Sequence, residues 1–586
     1  MDNREIADKL AEIAVLKQLA GENTFKIRAF ENAGRMLENL PETVSDLAAE
    51  GRLTKLRGIG EALADTITEL IATGTCTEEQ NLKKQIPEGL IAMLSLQGMG
   101  PKKIRSVWQE KEITTIEQLE AAAQNHLLQD LAGFGAKTEE KILKAIQFHK
   151  ESEGLFLSFQ ALFIAEQIKK QLEASHLFSR IEIAGSLRRG KEIVKDADIL
   201  LVSKAGSTID TIQDMLVTFA DKDKNGNPVI TGSGKTKTSL RFLGLQIDFR
   251  VIEEKSFACA FQYFTGSKEH NTMIRGIAKE QGKKVNEYEI LDSSGPLYPK
   301  SEEEFYQYLG LSSIPPELRE AGEEIEHAKS GAFPRLVTDQ DIKGLIHCHT
   351  TASDGELTLL QLAELCIKNG LSYMCVSDHS QSAPYAGGLS VDRLLLQIDE
   401  IEMLNRKLAP FHIFKGIESD IHPDGTLDYP AGILAKLDFV IGAVHSKFTM
   451  TKDEATKRLI TAISNPFTTI LAHPSGRLLL RRDGYSYDED AVIRAAVQYG
   501  VVIEHNANPH RMDIPWQMMK KAIKAGVLTS INPDLHESSG LDHIRLGITM
   551  ARKAWCEPRH ILNCKTKEEI DEYFRQRKKK AGYSGN

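Results

Sequence analysis

Two aspartates one residue apart, Asp196 and Asp198 in KDADILL, lie just downstream of GSLRRG, and a third acid, Asp248, is embedded in the apolar run LQIDFRVI. On a strand alternate side chains share a face, so Asp196 and Asp198 project together. Two carboxylates held that close repel unless a cation lies between them, and oxygen ligands suit Mg²⁺ or Mn²⁺. An acid such as Asp248 in an apolar strand is costly unless paired or coordinating. A solvated strand end would equally explain Asp196 and Asp198 taken alone, and a salt-bridged core acid would explain Asp248 alone. The neighbours shift the balance. Gly185 and Ser186 end a strand and open a helical stretch whose free amides favour anions, and Arg188 and Arg189 offer a guanidinium fork for phosphate oxygens. Anion donors beside cation ligands describe a metal–triphosphate site, where two ions activate the attacking oxygen and stabilise the leaving one.

A second set of residues suits different metals. Of 17 histidines, 12 follow residue 340. His347 and His349 are at i and i+2 of a strand-like run, with Cys348 turned away, and Asp354 follows in the loop. His379, Glu418, His445 and His473 then come near the ends of later runs, and Asp534 and His536 repeat the i, i+2 spacing. In barrel folds strand C-termini converge on one mouth, so dispersed ligands form one cluster. Mixed nitrogen and oxygen donors in that number suit two or three divalent ions, Zn²⁺, Mn²⁺ or Fe²⁺. His505, Asn506 and Asn508 in IEHNANPH are candidates for the mouth, although a polar strand-to-loop turn explains them as well.

A third feature is repeated. LRGIGEALADTI, LQGMGPKKIRSV and LAGFGAKTEEKILKAI each set Gly-x-Gly before a helix, as helix-hairpin-helix units do. Bare backbone at Gly58/Gly60, Gly98/Gly100 and Gly133/Gly135 could approach a phosphate beside a helix amino end, gripping DNA backbone without reading bases. Lys102, next to Lys103, makes the second copy the most persuasive, and a monovalent cation is a further candidate at these hairpins. Such binding needs no global attraction, which a net charge of −9 would not supply.

The elements needed to position these groups are legible in the periodicity. Residues 1 to about 150 read as short amphipathic helices, 155 to 310 as strands among helices, and from 340 seven strand-like runs alternate with helices. The fold class expected from the periodicity is multidomain α plus α/β, and the family resemblances given below imply helical hairpin units, a polymerase beta-like nucleotidyltransferase palm and a distorted (β/α)7 barrel. A length of 586 residues allows roughly three to five units. The expected boundaries are 1–90 and 91–154 for two helical pieces, 155–255 for the palm, 256–312 for a nucleotide-selecting subdomain, 313–340 for a linker, 341–570 for the barrel and 571–586 for a basic tail. No signal peptide or apolar span of about 18 residues is visible, and seven cysteines without a CxxC pair fit a reducing cytoplasm.

GSLRRG, DAD, the strand acid Asp248 and YFTGSKEHN together resemble family X DNA polymerases, the nucleotidyltransferases that include polymerase beta. The resemblance implies that Asp196, Asp198 and Asp248 are the catalytic metal triad, Asp248 also serving as base for a primer 3′-hydroxyl. It implies that Ser186 and Arg189 hold the β and γ phosphates, that Tyr263, Phe264 and Gly266 pack against the incoming sugar, and that Asn271 approaches the base and Arg275 the template. Lys195 departs from the pattern, standing where polymerase beta has glycine. By the same resemblance the first hairpin belongs to a domain that holds a 5′-phosphate and uses a lysine amine for deoxyribose-phosphate cleavage. EALADTITEL contains no lysine: Thr66 takes the nucleophile's position and Ala62 that of a phosphate-binding lysine, while Lys26 matches another phosphate contact. The expectation is 5′-phosphate recognition without efficient lyase chemistry.

From residue 340 the motifs resemble the polymerase-and-histidinol-phosphatase (PHP) domain, whose nine ligands match His347, His349, Asp354, His379, Glu418, His445, His473, Asp534 and His536 without substitution. This implies metal-dependent phosphoester hydrolysis. The combined expectation is a monomeric enzyme acting on gapped or primer-template DNA and dNTPs, filling short gaps in repair, with a 3′–5′ exonuclease or 3′-end phosphoesterase. The alternative is a phosphoesterase of small esters with weak or untemplated transfer.

Overall fold

Apolar residues recur at three and four between residues 3 and 152, and every regular element of that stretch is helical. The computed structural model describes residues 1–580 apart from 2, 39, 41 and 321, and divides after Glu153 into two compact units. In the first unit one apolar cluster runs from Ile6 to Ile146, across the boundary expected at residues 90 and 91. The three hairpins share one construction. Gly58, Gly98 and Gly133 have φ of +93°, +83° and +84°, a region that strains any residue with a Cβ. The middle residues Ile59, Met99 and Phe134 are buried in the cluster and anchor each turn. Gly60, Gly100 and Gly135 then cap helices Glu61–Thr73, Pro101–Lys111 and Ala136–Ser152. A Cβ on any of these six glycines would meet nothing within 4 Å. Internal packing therefore does not require the second glycine of each pair to be bare, and the helix amide ends stay open to an outside group.

In the second unit a five-stranded sheet has the order Phe178–Ile183, Asp196–Ser203, Leu245–Val251, Lys237–Phe242, Ile230–Ser233. Strands Asp196–Ser203 and Leu245–Val251 run parallel with Asp198 opposite Asp248. Ala197, Ile199, Leu201, Ile247 and Phe249 pack on helices Ser158–Ala174 and Ile209–Val217, which leaves the alternate face to the acids. Beyond it, helices Phe257–Thr265 and Lys268–Glu280 and a small antiparallel sheet form a subdomain around Phe305 and Tyr306. The stretch expected as a linker belongs to that core: Ile314, Leu318, Ile325 and Ala328 are buried in it. Fully buried Arg319 bonds Glu302 at 2.8 Å there. Its prolines and charges had hidden apolar residues spaced to cover one face.

The seven later runs form parallel strands in two sheets. Gly344–Cys348, Tyr373–Val376 and His412–Lys415 make the first; Glu418–Asp420, Ile441–Ala443, Ile470–Leu471, Val502–Asn506 and Thr529–Asn532 make the second. Parallel bridges Cys348–Leu535 and His379–Glu418 join them. The run HIFKGIESDI is thus split between the sheets at Gly416, where a Cβ would lie 2.1 Å from the Phe439 ring. Residues 571–580, expected as tail, continue helix Lys567–Lys580, which buries Ile570 and Phe574 against Phe414 and Phe439; residues 581–586 lie outside the described residues. No described helix is long and apolar enough to cross a membrane.

Because Gly416 faces an aromatic ring, Gly416→Ala should destabilise the second unit by about 1–3 kcal/mol through overpacking. Adding Phe439→Leu should recover part of the loss in chemical denaturation.

Candidate active sites: two clusters of metal ligands

In the palm the β register assembles the three acids. Gly185, at φ +63°, has room only for a hydrogen, since a Cβ would lie 2.2 Å from Asp198 Oδ2. Burial, with the charges of Asp196 and Asp248 beside it, pushes the Asp198 carboxyl up to about 7. Burial and the Asp248 charge likewise raise Asp196. Burial acts in the same direction on Asp248, but it is outweighed by hydrogen bonds from Lys237 and Gln246, which hold this acid below the ordinary range. Lys237 Nζ is 2.7 Å from Asp248 Oδ2, and Gln246 Nε2 donates to Oδ1 at 2.9 Å. Sequence reasoning missed Lys237, whose signal is its place across the ladder, where Lys237 pairs with Arg250 two positions beyond Asp248.

The expected nucleotide contacts are held in different ways. Tyr263 and Phe264 meet edge to face at 5.2 Å, and Asn271 Nδ2 donates to Tyr263 O at 2.7 Å while Gln262 holds its Oδ1 at 3.0 Å. Phe264 also lies under the Arg250 guanidinium at 4.2 Å. Arg188 is not free for phosphate: it bonds Glu302 and Thr265 Oγ1 and stacks on Phe261. Arg189 is buried, donates to Thr265 O, and has its Nε 3.6 Å from Glu320. Ser186 is half-buried at the start of the short helix Gly185–Arg188, and Arg275 is exposed.

All nine expected ligands of the barrel converge, Glu418 as the first residue of its strand and the others at or just beyond strand C-termini. Glu418 is central: its oxygens lie 3.0 Å from His473 Nε2, 3.2 Å from His445 Nε2, 3.3 Å from His347 Nε2 and 3.0 Å from His379 Nδ1. Asp534 Oδ1 is 3.1 Å from His349 Nε2, and Asp354 faces His379 and His536 at 3.5 and 3.4 Å. His347, His473 and Asp534 adopt positive φ, backbone strain of a kind that collects at functional sites. Four overlapping groups of these residues have ligand atoms within 4.8 Å of one another. Ring nitrogens His347 Nε2, His349 Nδ1, His379 Nδ1 and His473 Nδ1, with Glu418 Oε2, are buried without hydrogen bonds. Orphaned nitrogen and oxygen donors converging on shared space are what divalent ions require, so the residues fit two or three of them. Burial opposes charging the rings, but neighbouring carboxylates win, raising His379 to about 10 and His445 to about 9.

A further layer fixes these ligands. Glu504 accepts from His347 Nδ1 at 2.6 Å, from the His473 backbone N–H at 2.9 Å and from Asn532 at 2.7 Å. Asp420 faces His445 Nδ1 at 2.7 Å, and Asn506 bonds Asp534 at 3.1 Å. Such partners set ring orientation and tautomer. His505 does not line the mouth: its Nδ1 bonds Ile514 O at 2.8 Å on the opposite strand face. Its neighbours Glu504 and Asn506 face inward, and strand alternation in IEHNA could have revealed Glu504.

In the first unit Thr66 Oγ1, at the position of the nucleophile, donates to Ala62 O at 3.0 Å. The adjoining cavity of about 410 Å³ is lined by Glu22, Asp65, Glu69 and Glu78, and by no lysine. Lys26 is exposed, its ammonium 3.7 Å from Glu22. Two of these carboxylates are already paired, Glu22 and Glu78 both with the buried Lys17. Lys102 is exposed beside the second hairpin, whereas Lys103 turns back to Gly98 O at 3.1 Å.

Family models match along the chain: a helix-hairpin-helix domain at residues 1–76, a SAM-like helix-hairpin-helix tandem at 90–147, and a DNA polymerase beta thumb at 260–320. The DNA polymerase/3′-5′ exonuclease PolX of Bacillus subtilis (strain 168) is 38% identical over 583 residues, covering 98% of this chain and 100% of that protein. A probable phosphatase of Thermoanaerobacter sp. (strain X514) is 30% identical over 247 residues, 40% of this chain and 96% of its own. Another, from Caldanaerobacter subterraneus subsp. tengcongensis, is 28% identical over 263 residues, 43% of this chain and 96% of its own. The end-to-end match to PolX, the thumb and hairpin matches, and the two ligand clusters place the chain in one family: it belongs to the family X DNA polymerases that carry a C-terminal PHP domain.

Proposed function

We propose that the protein is a DNA-directed DNA polymerase that fills short gaps in DNA and also degrades or cleans DNA 3′ ends with its PHP domain. The observation that carries this reading is the coexistence, in one chain, of a triad of strand acids and a separate nine-residue imidazole–carboxylate cluster. Divalent ions, Mg²⁺ or Mn²⁺ at the triad and Zn²⁺, Mn²⁺ or Fe²⁺ at the cluster, would supply Lewis-acid charge and acidify a hydroxyl or water. Asp196, Asp198 and Asp248 would hold the ions of the palm, and Asp248, paired with Lys237 at 2.7 Å, is the candidate to take the primer hydroxyl's proton. Ser186 and Arg189 orient the triphosphate, and Tyr263 and Phe264 offer a wall for the sugar. In the barrel Glu418 and Asp534 bridge the histidines, and Glu504 locks His347. Tyr385, 69% exposed with its ring 6.5 Å from that of His379, offers a stacking face at the mouth, which favours a nucleic-acid end over a small ester. Three outward-facing hairpins would grip backbone phosphates of the same DNA.

Two separable sites give opposite losses. In a gapped primer-template assay, Asp248→Ala should abolish extension and spare 3′ degradation, and His347→Ala should do the reverse, each loss being on the order of a thousandfold or more. A variant that silences both equally would refute the assignment.

Protons compete with metal at both places, with distinct signatures. The fold raises the Asp198 carboxyl to about 7, so below that pH an ion must displace a proton. Mn²⁺ affinity of the palm should therefore fall by up to about tenfold per pH unit below 7 and level off above it. In the barrel His379 and His445, raised to about 10 and 9, carry protons at pH 7.5 that ligation expels. Because His347 too is held well above its ordinary value by the carboxylates around it, calorimetric Mn²⁺ binding to chelator-stripped protein should release at least two protons, read from the dependence of its heat on buffer ionisation enthalpy.

A further inference from the structure

The palm's phosphate loop is held from behind by the hydrolase domain. Gly190 closes the GSLRRG turn, and a Cβ there would lie 2.2 Å from Thr549 Cγ2 on helix His543–Lys553. From the same helix Lys553, 3% exposed, donates to Arg189 O at 3.2 Å and ion-pairs with Glu320. Arg477, four residues beyond the ligand His473, reaches Glu192 at 2.9 Å, four residues before Asp196.

Two cations face one carboxylate oxygen. Glu320 Oε1 is bonded to Lys553 Nζ and stands 3.6 Å from Arg189 Nε. That Nε is buried and has no hydrogen bond, while the other end of the guanidinium donates to Thr265 O. Glu320 follows Arg319, whose guanidinium is held by Glu302 and Ile314 O. A buried donor without a partner is costly, so loss of the Lys553 ammonium, which now holds the nearer place on Oε1, would favour closing the 3.6 Å gap between Arg189 Nε and that oxygen.

We propose that Lys553 is a positioning residue for nucleotide addition: by occupying Glu320 it keeps the charge of Arg189 available to the triphosphate, so the hydrolase domain sets the polymerase's affinity for dNTP. This rests on the polymerase reading and on Arg189 as a triphosphate ligand. Without Lys553, Glu320 would pair fully with Arg189 and draw its charge from the pocket. An uncharged residue at 320 would leave nothing to draw it away.

The test is a double-mutant cycle in the full-length protein, measuring KM for dNTP and kcat in single-nucleotide gap filling. Lys553→Met should raise KM about tenfold with kcat little changed. Glu320→Gln in that background should return KM to within about twofold of wild type, and Glu320→Gln alone should give a KM no higher than wild type. Degradation of 3′ ends should proceed at the wild-type rate in all three, reporting an intact hydrolase fold. A double variant as impaired as Lys553→Met, or a raised KM in Glu320→Gln alone, would mean that the pair is only structural and would overturn the inference. If wild type extends and Lys553→Met leaves KM unchanged, this inference alone fails. If wild type cannot extend a gapped primer, the polymerase reading fails and takes the inference with it.

Discussion

Negative charge crowded at strand ends is the constraint that organises this molecule. Carboxylates are drawn together at two places, and each cluster exists only because something nearby neutralises it. In the palm Lys237 and Gln246 stabilise Asp248, and Asp198 is driven toward its protonated form. In the barrel the counter-charge comes from imidazoles gathered around Glu418 and Asp534, whose carboxyls are held well below their usual range although burial opposes it. The sheets serve this arrangement: one register places Asp198 opposite Asp248, and strand C-termini place six histidines on one mouth.

The sequence made the ligands legible because their chemistry is local. Two acids at i and i+2, or two histidines at i and i+2, reveal a shared face without any tertiary knowledge. Each of the nine barrel candidates lies in the cluster, and the three palm acids share one sheet face. Groups defined only by a fold partner stayed hidden. Lys237 and Glu504 are ordinary charged residues in the text and become significant through pairing across strands. His505 misled because residue type was weighed ahead of strand parity, and 313–340 misled because prolines masked apolar spacing.

The arginines teach a related lesson. GSLRRG offers two guanidinium groups, and the fold uses them differently. Arg188 joins Arg319 on Glu302, a half-buried network tying the GSLRRG turn to the subdomain that carries Tyr263 and Asn271. Arg189 is left beside the pocket with one donor unsatisfied. Only the surrounding acids distinguish the arginine tied into the fold from the one left with a free donor.

The contact between Gly190 and Thr549 reaches beyond chemistry. Multidomain enzymes are often pictured as cassettes, exchangeable between relatives at their boundaries. Here a turn of one catalytic half is moulded to a helix some 360 positions later in the chain, so the halves must drift together. Grafting a foreign hydrolase onto this polymerase would need the facing helix to travel with its partner loop.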